Sequence, residues 1–300
     1  MSGTLVKLFL PIIIGYILVK TKYLSENINR DLKVFVIRVS VPCLVFINMY
    51  NTDFKTLEQL IPVASAYVVL TIVLILLSFL ILVRIKDNRL KTAYIISIVW
   101  GNYGWMGWAV LNGVFGQAGF SRGVFFTALW WPILYLGSFL VSKLTKIDST
   151  LDVKNYIINM TVPTVALILG VIFNLLNIPL YEPLTYTLSK FGDMTVTIIL
   201  FTVGLSISIR NSLKDLKMAI VPILLRPILG IIGGFITVYI LGITDPISRN
   251  SILIESTMPV AVFTVVIGDM LGLDEKLMSS ILVLSTLLSL ITIPLSLLFF

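Results

Sequence analysis

Ile98-Val-Trp-Gly-Asn-Tyr-Gly-Trp-Met-Gly-Trp108 interrupts one long apolar run, and Glu255-Ser-Thr-Met-Pro-Val-Ala261 interrupts another. Each lies in the fourth hydrophobic span of its half of the chain. Gly101, Gly104 and Gly107 each weaken a helix by about 1 kcal/mol relative to alanine. Pro259 removes a donor and crowds the preceding turn, which costs about 3 kcal/mol in a helix interior. Lipid cannot hydrogen-bond a bare peptide group, so non-helical backbone survives at membrane depth only inside protein or beside a water-filled cavity. Paired interrupted spans in corresponding positions are the sequence mark of a substrate site in an inverted-repeat transporter. The rival reading is plain packing, because small residues at helical spacing let helices approach and a lone proline only kinks one. The pairing across two halves favours the site.

Composition sets the solvent. Of 300 residues, 58% are hydrophobic and 12% charged, with a mean hydropathy of +1.03. Soluble domains run at about 45–50% apolar and about 25% charged, so this chain belongs in a bilayer. A crossing helix needs about 20 mostly apolar residues, and the pattern predicts ten spans: 3–20, 32–51, 60–84, 92–115, 122–143, 154–176, 192–209, 217–242, 249–270 and 276–298. The connections are short, leaving no soluble domain. Pro11 and Gly15 in the first run, with no small-residue cleavage site after it, make it a span and not a removable signal.

The loops after spans 1, 3, 5, 7 and 9 hold most of the Lys and Arg residues, whereas the ends and alternate loops hold Lys7, Lys55, Arg122, Lys190 and Arg249. Positive loops mark the cytoplasmic side, so both termini are expected outside the cytoplasm of a multi-pass plasma-membrane protein. This bias accounts for the net charge of +7. It is no nucleic-acid footprint, since the basic residues are scattered through short loops. Histidine is absent and Cys43 is the single cysteine, which removes the usual metal ligands and the usual neutral-pH proton carrier. Any proton traffic runs through Asp, Glu, Lys or Arg. No cofactor is expected. The zinc-protease motif, a paired intramembrane aspartate motif and a phosphate-binding ATP loop are all missing, which argues against an enzyme and against primary transport.

The chain divides into repeats at 1–145 and 146–300. Pro11 and Gly15 in span 1 answer Pro163 and Gly170 in span 6, spans 4 and 9 are both broken, and spans 5 and 10 carry Pro132 and Pro294. Five spans per half is an odd number, so the halves insert with opposite topology, an inverted repeat. Where the helices unwind, half-helix N-termini suit a carboxylate and exposed carbonyls suit Na⁺ or a protonated group.

These breaks nominate Asn102, Gly101, Tyr103, Trp105, Met258 and Pro259 for substrate contact, with Thr127 and Asn48 as further polar candidates. An interhelical hydrogen bond is the plain alternative for Asn102. Ionisable residues at membrane depth are functional hypotheses by default. Glu255, four residues before Pro259, is the first candidate for ion coupling. Arg226 in span 8 either pairs with Glu255, attracts anions or snorkels. Asp193, at the start of span 7, and Asp269, at the end of span 9, serve either an ion path or a helix cap. Arg38 in span 2 is expected to snorkel. Trp100, Tyr103, Trp105, Trp108, Trp130 and Trp131 either wall a pocket for a flat substrate or pack.

At Leu10-Pro-Ile-Ile-Ile-Gly-Tyr16, Val41-Pro42, Gly101-Asn102, Met258-Pro-Val-Ala261 and Leu284-Ser-Thr-Leu-Leu-Ser-Leu-Ile-Thr-Ile-Pro294, the chain resembles the auxin efflux carrier family over essentially its whole length. The resemblance implies a ten-helix fold, with a scaffold from spans 1, 2, 6 and 7 and a moving transport domain from spans 3–5 and 8–10. It implies that spans 4 and 9 cross at mid-membrane, elevator-type export of small organic anions, and a homodimer. Asn102 matches the asparagine that family members place at the crossing to hold the substrate carboxylate, and Pro259 matches the crossing proline. Plant members place a proline before that asparagine, where this chain has Gly101, and the long cytoplasmic loop of many plant members is absent. The expected function is therefore secondary transport of a small organic anion, auxin-like or another carboxylate. A proton- or sodium-coupled carboxylate importer of the same architecture is the runner-up, and a receptor or scaffold is a third class.

Overall fold

The computed structural model of the protein describes residues 2–24, 27–51, 57–147, 153–206 and 209–298. The regular elements among them are helical: α1 (Ser2–Lys20), α2 (Asn27–Phe35), α3 (Val41–Tyr50), α4 (Leu57–Ile81), α5 (Asn88–Val99), α6 (Trp108–Phe126), α7 (Trp130–Leu144), α8 (Val153–Leu175), α9 (Glu182–Ser206), α10 (Ile209–Leu241), α11 (Pro246–Ser256), α12 (Phe263–Met270) and α13 (Glu275–Leu297). Two π-helical turns, Val36–Ser40 and Tyr103–Gly107, link α2 to α3 and lead into α6.

Among the described residues, five helical stretches are long and apolar enough to cross a bilayer: Ile28–Tyr50, Ile61–Arg84, Ala118–Leu144, Leu216–Leu241 and Glu275–Leu297. Leu10–Lys20 and Thr161–Leu175 are shorter apolar helices. The broken fourth and ninth spans miss that length because each is two half-helices, α5 with α6 and α11 with α12. Capping follows local sequence. Asp87, Asp245 and Asp274 stand before α5, α11 and α13, and each accepts hydrogen bonds from backbone N–H groups of the first turn, filling positions where such donors lack helical partners.

Several sequence boundaries are corrected. The seventh span, placed at 192–209, belongs to a helix that starts ten residues earlier at Glu182. The stretch Glu182–Phe191 is too polar to score as membrane, yet Glu182 and Pro183 form a sound helix start. The eighth span, placed at 217–242, sits in a helix that begins at Ile209. The fifth, placed at 122–143, is cut by a turn at 127–129 between α6 and α7. Within α6 the backbone turns at Gly116, whose φ of 57° and ψ of −147° are non-helical and suit a residue without Cβ.

The helices pack as two compact units, one of Met1–Thr56 with Leu151–Ile207 and one of Leu57–Thr150 with Ser208–Phe300. Each draws segments from both halves of the sequence. In the first, α1 lies against α9 and α3 against α8. Glycines permit both approaches: a Cβ on Gly204 would run into the Ile12 carbonyl, and one on Gly170 would stand 2.6 Å from the Phe46 carbonyl oxygen. In the second, α10 is central and packs on α4, α5, α11 and α13. Gly230 and Gly234, a small-xxx-small pair, bring α10 onto Ser256, where a Cβ on either would collide. That contact fixes the point at which α11 ends and the ninth span breaks.

Candidate functional site

Both breaks are real and they meet. α5 ends at Val99, Trp100 turns extended (φ −94°, ψ 103°) and Asn102 departs from helix (φ −78°, ψ 58°) before the π turn. α11 ends at Ser256, and α12 resumes only at Phe263. Between them Gly101 and Val260 form an antiparallel bridge. The Asn102 N–H donates to the Pro259 carbonyl at 2.7 Å, and the Ala261 N–H donates to the Trp100 carbonyl at 2.8 Å. Each interrupted strand thus supplies partners for the groups the other exposes, as a dry interior demands.

The remaining orphan carbonyls are met by one side chain. Arg226, on α10, is fully buried. Its Nε donates to the Met258 carbonyl at 2.9 Å and its Nη1 to the Ile98 carbonyl at 2.7 Å. Nη2 donates to the Tyr103 hydroxyl at 3.0 Å, and the guanidinium lies 5.4 Å from the Tyr103 ring centroid. The Tyr103 hydroxyl in turn donates to the Val99 carbonyl at 3.3 Å. Arg226 therefore neither snorkels nor closes an ion pair with Glu255; it ties the end of α5 to the break before α12. A planar fork with several fixed donors suits that task. Gly101 is required alongside it, because a Cβ there would strike the guanidinium and the Tyr103 ring. This gives a physical reason for glycine where plant family members have proline. Ser285 on α13 completes the frame by accepting from the Val260 N–H at 3.0 Å.

Among the described residues, two polar side chains at the crossing are buried with oxygens that no partner meets. Asn102 is 3% exposed and its Oδ1 has no hydrogen-bond partner. Glu255 is fully buried and neither carboxyl oxygen has one. The Glu255 carboxyl lies against Gly107 of the π turn, where a Cβ would collide with it, and a Cβ on Gly123 would stand 3.1 Å from Oε1. Buried polar atoms without partners are uncommon and point to a ligand or a functional task.

The aromatic residues pack on one another. Tyr103 has ring centroids 5.3 Å from Phe126, 5.6 Å from Trp130 and 5.8 Å from Tyr67, all near edge-to-face. Trp100, fully buried, lies 6.1 Å from Trp130 and sits over Gly137 of α7, where a Cβ would stand 2.8 Å from its ring. Trp131 meets Phe263 edge-on at 4.7 Å. Thr127 braces the end of α6, with its hydroxyl donating to Gly123 and accepting from Trp108 Nε1 at 3.2 Å. The Trp105 side chain lies outside the described residues. Asn48, half-buried on α3, belongs to the first unit.

Of the other charged candidates, Asp193 and Arg38 belong to the first unit and Asp269 to the second. Asp193 starts no helix: it is mid-α9, 69% exposed and 3.9 Å from Lys190. Asp269 is exposed in the last turn of α12, and Arg38 is exposed in the first π turn. The carbonyl-bridging role of Arg226 and the parts played by Ser285, Tyr67 and Gly123 were not readable from the sequence. The Gly230–Gly234 spacing was the one available sign of close approach beside the break.

Residues 1–297 match the family described as membrane transport protein, that of the auxin efflux carriers. The chain belongs to this family. An uncharacterized transporter of Methanothermobacter thermautotrophicus is 26% identical over 302 residues, covering 98% of this chain and 96% of that protein. An uncharacterized transporter of Methanocaldococcus jannaschii is 26% identical over 300 residues, covering 95% and 94%. With its several apolar helices, this family member is a multi-pass membrane protein.

Proposed function

We propose that the protein is a secondary active transporter of small organic anions that exports carboxylates by alternating access. The observation that carries this reading is the crossing itself: two interrupted helices meeting through two backbone hydrogen bonds, with Asn102 buried beside them. The amide nitrogen of Asn102 and the Arg226 charge suit a carboxylate, and the surrounding rings suit an apolar substrate body. The reading includes ten spans in two inverted repeats, and a homodimer. The division into two units, each built from both halves of the sequence, supports a scaffold formed by the first unit and a transport unit formed by the second. The second unit carries the crossing and moves it across the bilayer.

The test is flux of radiolabelled indole-3-acetate and of malate in proteoliposomes, with pH gradient and membrane potential set independently. Saturable flux that disappears in Asn102→Ala supports the reading. Absence of flux for both acids under every gradient removes the carboxylate assignment.

A further inference from the structure

We propose that Glu255 is the proton-binding site of the transporter, coupling proton movement to anion movement against the fixed charge of Arg226; this rests on the transport reading above. The chain clears space for the Glu255 carboxyl on two separate elements, Gly107 of the π turn and Gly123 of α6, yet among the described residues no donor meets it. A carboxylate in a slot without hydrogen-bond donors is balanced only by the field of Arg226, so a second anion that offsets that field obliges the carboxylate to take up a proton, because burying an unpaired charge costs much more than burying a neutral group.

The surroundings are specific. The titratable groups that interact with Glu255 are Arg226 from α10 and Tyr103 from the π turn, and the Arg226 field reaches Tyr103 as well. On the other packed elements, Arg122 of α6 is occupied at 3.1 Å by Asp245, Lys217 of α10 is exposed, and Glu275 and Lys276 stand at the far, first turn of α13. A metal ion is a poor rival for the coupling role. Carbonyls bared by a helix break are the usual cation ligands, and here those of Ile98 and Met258 are already taken by Arg226. The guanidinium is in effect a tethered cation, which leaves a proton on Glu255 as the exchangeable one.

Charge then dictates coupling. Arg226 travels with the transport unit, and an uncompensated charge at membrane depth is costly. Two forms of the crossing are neutral. In the empty form, ionised Glu255 balances Arg226. In the loaded form, Glu255 has taken up a proton (carboxylate plus H⁺ giving carboxylic acid) and one substrate carboxylate balances Arg226. Cycling between these two forms moves one proton with each anion, in the same direction.

The test uses malate and full-length protein in proteoliposomes, with the potential clamped at zero by a potassium ionophore. In the wild type, malate entry carries protons into the lumen, and a one-unit pH gradient concentrates malate roughly tenfold. Glu255→Gln keeps exchange of labelled for unlabelled malate, makes it independent of pH, and loses the gradient-driven accumulation. Accumulation in Glu255→Gln equal to wild type overturns the proposal. The lumen-pH measurement needs no variant: malate flux in the wild type without proton movement overturns the proposal alone, whereas no flux of malate or of indole-3-acetate overturns the transport reading with it.

Discussion

Arg226 shows how one side chain can hold a broken membrane helix together. Three donors reach two carbonyls and a hydroxyl on segments more than a hundred residues apart. Removing it leaves the Ile98 and Met258 carbonyls buried without partners, and each orphan costs about 1–3 kcal/mol. Arg226→Met is therefore expected to destabilise the purified protein by about 2–6 kcal/mol, read as a lowered midpoint of thermal unfolding in detergent. Arg226→Lys keeps the charge, but its compact ammonium lacks the planar fork, so it should recover only part of that loss. A midpoint unchanged in Arg226→Met would show that the crossing does not depend on this strut. Gly101→Ala tests the same contact from the other side, since its Cβ would occupy the space of the guanidinium.

At the scale of the element, the α11 half-helix is anchored at the end opposite the break. Asp245 caps it, accepting from the Ser248 N–H at 2.8 Å, and pairs with Arg122 of α6 at 3.1 Å. Arg122 Nε also donates to the Ser248 hydroxyl at 3.0 Å. Hydrogen bonds from Ser248, aided by Arg122, hold the Asp245 carboxyl below the usual carboxylate range. A carboxyl so depressed stabilises the fold above its unfolded-state value, near 4, and loses that contribution as pH falls through the lower folded-state value. Asp245→Ala should cost about 1 kcal/mol at neutral pH, whereas Asp245→Asn should keep most of the cap. The wild type minus Asp245→Ala difference in unfolding midpoint should shrink only on the acid side of about pH 4; a constant difference down to lower pH would refute the assignment.

The same half-helix shows what the sequence makes legible. Glycine triplets and Pro259 announced the breaks, because their helix penalties act locally. The choice of Asn102 and Glu255 followed, because polar residues at membrane depth need a reason. The partner of Arg226 was misjudged, because a pairing of side chain with main chain across the fold leaves no periodic trace. Asp193 was misplaced for the opposite reason: hydropathy marks where lipid would begin, and α9 continues well beyond that point into exposed turns.

For the whole molecule, the fixed charge of Arg226 makes voltage dependence diagnostic. With Glu255 alternating between carboxylate and acid, both translocating forms are neutral for a substrate with one negative charge, so the membrane potential does no net work on a monocarboxylate. A doubly ionised dicarboxylate carried with one proton leaves one net negative charge, worth about 2.3 kcal/mol per 100 mV. In proteoliposomes at fixed, equal pH, indole-3-acetate flux should be flat as a potassium-diffusion potential is varied, while malate flux should be drawn toward the positive side. An exporter of monocarboxylates acting on its own charge behaves differently: potential alone would drive its substrate out of a negative-inside compartment. Indole-3-acetate flux that responds to potential as one net negative charge would mean that no proton accompanies the anion, and that Arg226 is balanced during translocation by something other than Glu255.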